Sequence, residues 1–469
     1  MYKTENEVQK ALLIGIQLPS MNEADVSSSL DELSRLVTTL GFQPVARTLQ
    51  KRKSEKNKTV LGEGKLKEVS GYTGGPGVVA AAFVKKKTKA ALKFDDLEDE
   101  NEEDENETVD EDEDPVEIKD EAQAPKEKVD VVIFDCDLTP SQLRNLESAL
   151  GCEVLDRTGV IIEIFSRHAK TKAARLQVEI AKLTYVAPRI RETGGTTERQ
   201  GGGVGGRGAG ESSIELDRRK IRDRIKELKT ELGSIDNEYL TRRSRRDSEI
   251  KVALVGYTNA GKSSLMRAMT GSDVLIADKL FATLDTTIRP MYPESRPKIL
   301  FSDTVGFIKK LPHDLVASFK STLDEALNAT LLLYIVDCSD ATFRAQLEVT
   351  KKVLSEVGVI DTPSQLVLNK VDRLTSDQRL QLKSEFPEAL FLSTRSQDDL
   401  AFLREWLIKR FEENMIDDEF LVSYATKGAV GEIRSRLRVL SENHNEKGFV
   451  FKVRGPEKDI LQIKAKFNI

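Results

Sequence analysis

Eight residues, Gly256-Tyr257-Thr258-Asn259-Ala260-Gly261-Lys262-Ser263, constrain the fold of this chain more than any others. They follow the apolar run Lys251-Val252-Ala253-Leu254-Val255 and lead into a helical stretch, giving the order strand, glycine loop, helix. Glycines let backbone N–H groups curl around a phosphate, Lys262 is placed to reach β and γ phosphates, and Ser263 to ligate magnesium. Such a loop sits at the end of a parallel strand, so an α/β, doubly wound sheet is expected across residues 248–415. Strand candidates follow at residues 250–255, 298–301, 331–336, 365–368 and 389–392.

Three further elements stand in the right order behind the loop. Asp303-Thr304-Val305-Gly306 follows a strand, with a carboxylate for a magnesium-bound water and a glycine N–H for the γ-phosphate. In Asn369-Lys370-Val371-Asp372 the last carboxylate is suited to accept both N1–H and N2–H₂ of guanine; adenine offers no such pair, and a buried carboxylate would reject it. Ser393-Thr394-Arg395 comes after the last strand, where backbone N–H groups can meet guanine O6. Each tetrapeptide is weak alone. The ordered set predicts a domain that binds GTP and GDP with Mg²⁺ and hydrolyses GTP. Asn259 either offers its carbonyl oxygen to a monovalent cation such as K⁺ beside the phosphates or hydrogen-bonds the loop to itself.

A chain of 469 residues exceeds one core and calls for about three folded units. Residues 11–16 read as a strand and 27–40 as a helix; strands at 129–134 and 160–165 flank a helix at 140–150. An α/β N-terminal domain is expected over 1–70 and 129–165, with 71–128 as a disordered acidic insert. Residues 166–247 read as an antiparallel helical hairpin: Leu176, Ile180 and Leu183 share one face, and Ile214, Ile221, Ile225, Leu228, Leu232 and Ile235 form a heptad seam. Its connection contains ten residues, 201–210, of which seven are glycine. This predicts a flexible tip. A small α+β domain is expected over 416–469, with strands near 420–424 and 449–453 and two helices.

Charge sharpens the choice of partner. The formal net charge of −6 conceals a tract, 95–121, with 18 acidic side chains and one lysine. Outside it, 71 basic side chains face 60 acidic ones, a net of +11 that favours a polyanion. No apolar run is long enough to span a membrane, and the N-terminus lacks the pattern of a signal peptide, so a cytoplasmic protein is expected. The three cysteines and three histidines are scattered, which argues against a disulfide framework or a zinc site.

From the loop onward the chain resembles the HflX family of translation-associated GTPases. Phe281-Ala282-Thr283-Leu284-Asp285 is similar to the family's switch I, and Asp303-Thr304-Val305-Gly306-Phe307-Ile308 with Leu311-Pro312 to its switch II. Leu143-Arg144-Asn145-Leu146-Glu147, Asp156-Arg157-Thr158-Gly159, Leu176-Gln177-Val178-Glu179 and Gly208-Ala209-Gly210-Glu211 continue the likeness. Departures are Thr286 where the family often has proline, Ser393-Thr394-Arg395 for a more usual Ser-Ala, and the acidic insert.

The resemblance implies Thr283 as the second magnesium ligand beside Ser263, with Asp303 acting through water, and Lys262, Thr283 and Gly306 as the catalytic groups. It also implies binding to the large (50S) ribosomal subunit and its rRNA as a monomer, and GTP-dependent separation of stalled or idle 70S ribosomes, the hairpin tip reaching the peptidyl-transferase region. Arg191, Arg199 and Arg207 suit a tip of that kind, because arginine bridges phosphates and stacks on bases; a plain linker is the alternative. Phe307 stands where many GTPases carry a glutamine that orients water, which predicts slow hydrolysis without help. A signalling switch acting on an acidic protein or membrane, and a nucleotide-driven RNA remodeller, are the competing classes.

Overall fold

The computed structural model describes residues 8–79, 128–190, 213–244, 249–271, 280–281, 287–295, 298–310, 325–413, 415–426 and 428–468. Its contacts divide the chain into two compact units, Met1–Leu30 with Gly41–Asp156, and Asp31–Leu40 with Arg157–Ile469.

The first unit is built on a parallel sheet ordered β2-β1-β3-β4, with β1 at Lys10–Gln17, β2 at Gln43–Lys51, β3 at Val131–Phe134 and β4 at Glu153–Asp156. The inner strands β1 and β3 are apolar on both faces because both are covered; Leu12, Ile14, Val132 and Phe134 anchor the core. Helix α1 (Glu23–Thr39) runs from this unit into the next, and α2 (Glu63–Thr73) packs into the first core through Leu66 and Val69. Helix α3 (Pro140–Leu150) lies where expected: Thr139 and Gln142 form a capping box, Pro140 opens the helix, and Gly151 closes it at φ 65°.

The expected insert begins too early. Residues 71–79 belong to the fold: a Cβ on Gly75 would lie 2.2 Å from the Leu150 carbonyl oxygen, and Gly77 N–H donates to Ala149. The acidic tract itself lies outside the described residues. A second correction concerns residues 160–165, expected as a strand. They lie in helix α4 (Arg157–His168), in which Val160, Ile161, Ile162, Ile164 and Phe165 are all buried. Burial nearly all round erases helical periodicity, and the β-branched run mimics a strand. The Glu163–Arg167 ion pair, four residues apart, is the helical signature.

In the second unit, α5 (Lys172–Val186) pairs with α6 (Ser213–Ser244). Lys172 bridges to Glu231 and Glu179 to Arg224, so numbers rise on one helix as they fall on the other: the hairpin is antiparallel. Leu176, Ile180 and Leu183 meet Ile225, Leu228, Leu232 and Ile235; Ile221, also expected in the seam, is half-buried and outside this cluster. The side chain of Ile214 and the glycine-rich tip fall outside the described residues.

Six strands make the next sheet, ordered β10-β9-β8-β5-β7-β6. They are β5 (Ile250–Val255), β6 (Thr287–Pro290), β7 (Ile299–Asp303), β8 (Leu331–Asp337), β9 (Ser364–Asn369) and β10 (Leu390–Phe391). All pair in parallel except β6 with β7. Central β5 feeds the glycine loop into α7 (Lys262–Thr270), so the loop opens where the chain leaves the sheet in opposite directions, the place such folds bind ligands. Helices α8 (Phe343–Val357), α9 (Ser376–Glu385) and α10 (Gln397–Glu412) complete the layers.

The last segment is a three-stranded antiparallel sheet, β11 (Ile416–Ser423), β13 (Gly448–Gly455) and β12 (Arg438–Asn445) in that spatial order. Helices α11 (Ala429–Arg436) and α12 (Glu457–Phe467) cover it, with Phe420, Phe451, Ile433 and Ile460 between the layers. Among the described residues no helix is long and apolar enough to cross a membrane.

Candidate nucleotide site

The glycine loop is held from behind. Gly261 takes φ 100°, and a Cβ there would lie 2.2 Å from Asn369 Nδ2, so no other residue fits without displacing Asn369. Asn369 is fully buried; its amide donates to Ala260 O at 2.9 Å and its carbonyl accepts from Thr394 N–H at 3.3 Å. It is thus a strut joining the phosphate loop to the base loop. Lys370, at φ 64°, donates to Asn259 O and to Asp337. Asn259 itself sits at φ 59° with an exposed side chain.

Lys262 is pre-aimed. Two of its three N–H donors go to the carbonyls of Gly256 and Tyr257, at 2.9 and 2.8 Å, which leaves one for a phosphate. Burial pushes its amine down to about 8, while the nearby Asp303 carboxylate opposes that shift. A bound phosphate would add to the opposition. Ser263 donates its hydroxyl hydrogen to Asp303 at 2.8 Å, which puts a hydroxyl oxygen and a carboxylate side by side. Among the described residues no three His, Cys, Asp or Glu side chains cluster to hold a metal. A hydroxyl oxygen and one buried carboxylate fit magnesium, which binds through few protein oxygens together with phosphates and waters.

Switch II lies against the loop. Thr258 N–H donates to Phe307 O and Phe307 N–H to Gly256 O, forming a short parallel bridge. Thr304 hydroxyl donates to Leu254 O, and Val305 is buried. Gly306 is required by space, since a Cβ would lie 2.9 Å from Thr258 Cα and 3.0 Å from Lys262 Nζ. Phe307 is 2 % exposed, so its ring belongs to the core and supplies no polar group for water. From switch I, only Phe281 is described; its ring meets Phe165 of α4 edge-on at 4.6 Å. Ala282, Thr283, Leu284 and Asp285 lie outside the described residues.

At the base end, Ser393 hydroxyl donates to Asp372 at 2.6 Å. That bond, helped by Arg395 and Arg373 against desolvation, holds the Asp372 carboxyl below its ordinary range. Asp372 is therefore ionised at neutral pH and able to accept the paired guanine donors. It is partly open rather than buried as expected, its side chain 35 % accessible, because it lines the mouth of a base cleft. Val371 packs beneath it. The expected role of the 393–395 amides meets competition. Ser393 N–H donates to Asp399, Thr394 N–H to Asn369 and Arg395 N–H to Ser393 Oγ. The last two are long at 3.3 Å, so guanine O6 could capture either amide by exchange.

The structure therefore brings the phosphate loop, switch II and both base motifs to one end of the sheet. Sequence reasoning missed Asp337, which fixes Lys370 at 2.7 Å, and Asp399, which orients Ser393. The first had a signal, a carboxylate at the C-terminal end of a central strand; the second had none. A cleft of about 720 Å³ beside the loop is lined by Asn259, Asp337, Lys370 and Arg373, and also by Ser34 and Arg35 of α1, which no motif marked.

Comparison with known proteins agrees with this geometry. Residues 251–370 match a family described as 50S ribosome-binding GTPase, 168–246 one described as GTP-binding GTPase middle region, and 27–83 with 112–166 its N-terminal counterpart. The GTPase HflX of Gluconacetobacter diazotrophicus is 52 % identical over 98 % of both chains. That of Caldanaerobacter subterraneus is 34 % identical, covering 96 % of this chain and 92 % of its own. A Sulfolobus solfataricus GTP-binding protein solved with GDP aligns at 21 % identity and TM-score 0.42 over 86 % of this chain and 98 % of that one. Because relatives 52 % and 34 % identical cover nearly the whole chain, the chain belongs to the GTPase HflX family and is a GTP hydrolase.

Proposed function

We propose that this hydrolase acts on the ribosome: its GTP form occupies the large subunit and separates stalled or idle 70S particles, and hydrolysis releases it. The observation that carries the reading is the match of residues 251–370 to a ribosome-binding GTPase family. The net charge of +11 outside the acidic tract supports an rRNA partner. The buried Phe307 supports a partner-stimulated reaction, since the residue in the glutamine position offers water no polar group. Residues 201–210 and the flanking arginines would be the part that reaches rRNA, and shortening them would abolish separation while leaving intrinsic hydrolysis intact.

Ser263, Thr283 and, through water, Asp303 would hold magnesium, which when bound offsets charge between the β and γ phosphates. Lys262 contributes its remaining N–H to the same oxygens, Gly306 its N–H to the γ-phosphate, and Asp372 selects guanine. Potassium beside Asn259 would supplement these charges. The Asn259 backbone carbonyl accepts from Lys370, so the cation reading rests on the side-chain amide oxygen. Equal ribosome-stimulated rates in matched potassium and sodium buffers would exclude the cation.

The deciding experiment is a sucrose gradient of 70S ribosomes with the protein and either a non-hydrolysable GTP analogue or GDP. Conversion to free subunits with the analogue alone is expected. Intact 70S peaks free of bound protein under both conditions would sink the ribosomal reading and favour a switch acting elsewhere.

A further inference from the structure

Behind the phosphate loop, within the second compact unit, lies a buried polar cluster that the chemistry of nucleotide binding does not use. Arg157, the first residue of α4, is 1 % exposed and pairs with Glu32 of α1 at 2.8 Å. The other Glu32 oxygen accepts a hydrogen bond from the Tyr257 hydroxyl, and Tyr257 is the second residue of the loop. Both sets of bonds converge on the backbone of one residue of switch II. Lys309 N–H donates to the Tyr257 hydroxyl at 2.6 Å, and Lys309 O accepts from Arg157 Nη2 at 3.1 Å.

We propose that Glu32, Arg157 and Tyr257 are positioning residues for GTP hydrolysis, a clamp on Lys309 that fixes switch II so that Gly306 meets the γ-phosphate. Three observations carry this. The clamp holds the backbone N–H and C=O of one residue, and so the two peptide units on either side of the Lys309 Cα. Lys309 lies three residues beyond Gly306, and Phe307 between them is tied to the loop by two backbone hydrogen bonds. Positions 307 and 309 are thereby referred to the phosphate loop, so movement of Gly306 relative to Lys262 is confined.

The chemistry of the cluster suits a fixed part. Tyr257 must donate to Glu32 and accept from Lys309 at once, which only a neutral phenol does; burial and the neighbouring Glu32 carboxylate push its titration up, away from neutral pH. Stability is a poor reason to keep such a group, because a buried ion pair is commonly replaceable by apolar side chains without loss. Geometry is the better reason, since misplacing a reacting group by a fraction of an ångström slows a reaction whose catalysis is mostly orientation.

The test is single-turnover GTP hydrolysis by the full chain without ribosomes, so that it stands apart from the ribosomal proposal. Tyr257→Phe deletes only the hydroxyl bridge; Glu32→Gln keeps the shape and removes the charge; Arg157→Lys keeps the charge and shortens the reach. For Tyr257→Phe and Glu32→Gln the hydrolysis rate is expected to fall about tenfold, with Arg157→Lys between them and the parent. GDP affinity should stay within about twofold, and exchange of the Lys309 amide should quicken in Tyr257→Phe about tenfold. Unchanged rates in the two severe variants would overturn the clamp. So would GDP affinity falling in step with the rate, since the cluster would then be ordinary scaffolding of the loop.

Discussion

We propose that the single carboxylate of Asp372 sets the nucleotide class. The Ser393 hydroxyl and two arginines keep it ionised, so its acceptor role persists at and above the ordinary carboxylate range and is lost only when acidification passes its lowered value. Replacing it by asparagine puts a donor where guanine also donates. Asp372→Asn should weaken GTP binding about tenfold to a thousandfold and raise the relative affinity for xanthine nucleotides, read by competition of GDP and XDP for a fluorescent analogue. Unaltered GDP affinity would remove Asp372 from the site. The residue was legible because its motif is four contiguous positions. Asp399, which holds the Ser393 amide, was not, because it lies six positions and a turn beyond Ser393 and only the fold closes the gap.

Elements were legible where periodicity and burial agree. The α6 seam stands out because one face meets α5 and the remainder is solvated, which preserves the heptad spacing. Leu228 is fully buried at its centre. Leu228→Ala should cost the hairpin about 2–4 kcal/mol and speed amide exchange in α5 and α6, while GTP binding stays intact. Loss of GTP binding would mean that the hairpin and the nucleotide domain unfold as one. Edge strands were the opposite case. β2 and β12 lie at sheet borders, are rich in polar residues and show no fully buried face along their length, so neither carries the double apolar face of β1. α4 failed for the converse reason, since too much of it is buried for any period to survive.

On the scale of the molecule, charge is the dominant variable. An acidic tract and a basic remainder within one chain can satisfy each other, in competition with rRNA. Because residues 71–79 and 128–130 belong to the fold, the deletion that isolates the tract is 80–127. That deletion should tighten co-sedimentation with ribosomes at low salt and lose its effect as salt rises and screens the charges. Equal or weaker binding at low salt would end the competition idea. The fold should survive, since neither flank of the deletion is pulled from the core that holds Val69 and Val129.

What the sequence by itself determined is everything carried by contiguous residues: the phosphate loop after a strand, the switch II and base motifs in order, the capped helix α3, and hence the nucleotide class. Local chemistry suffices there, because glycine torsions, a lysine reach and a carboxylate next to a turn act over a few bonds. Only the tertiary structure decided which distant groups steady that chemistry. Asp337 fixes Lys370, Asn369 braces the loop, and Glu32, paired with Arg157 from 125 positions away, steadies the two side chains that hold the Lys309 backbone. Such partners share no period or spacing, and it is the placement of residues 31–40 and α4 in one unit that brings their charges into a common low-dielectric space where both must be satisfied.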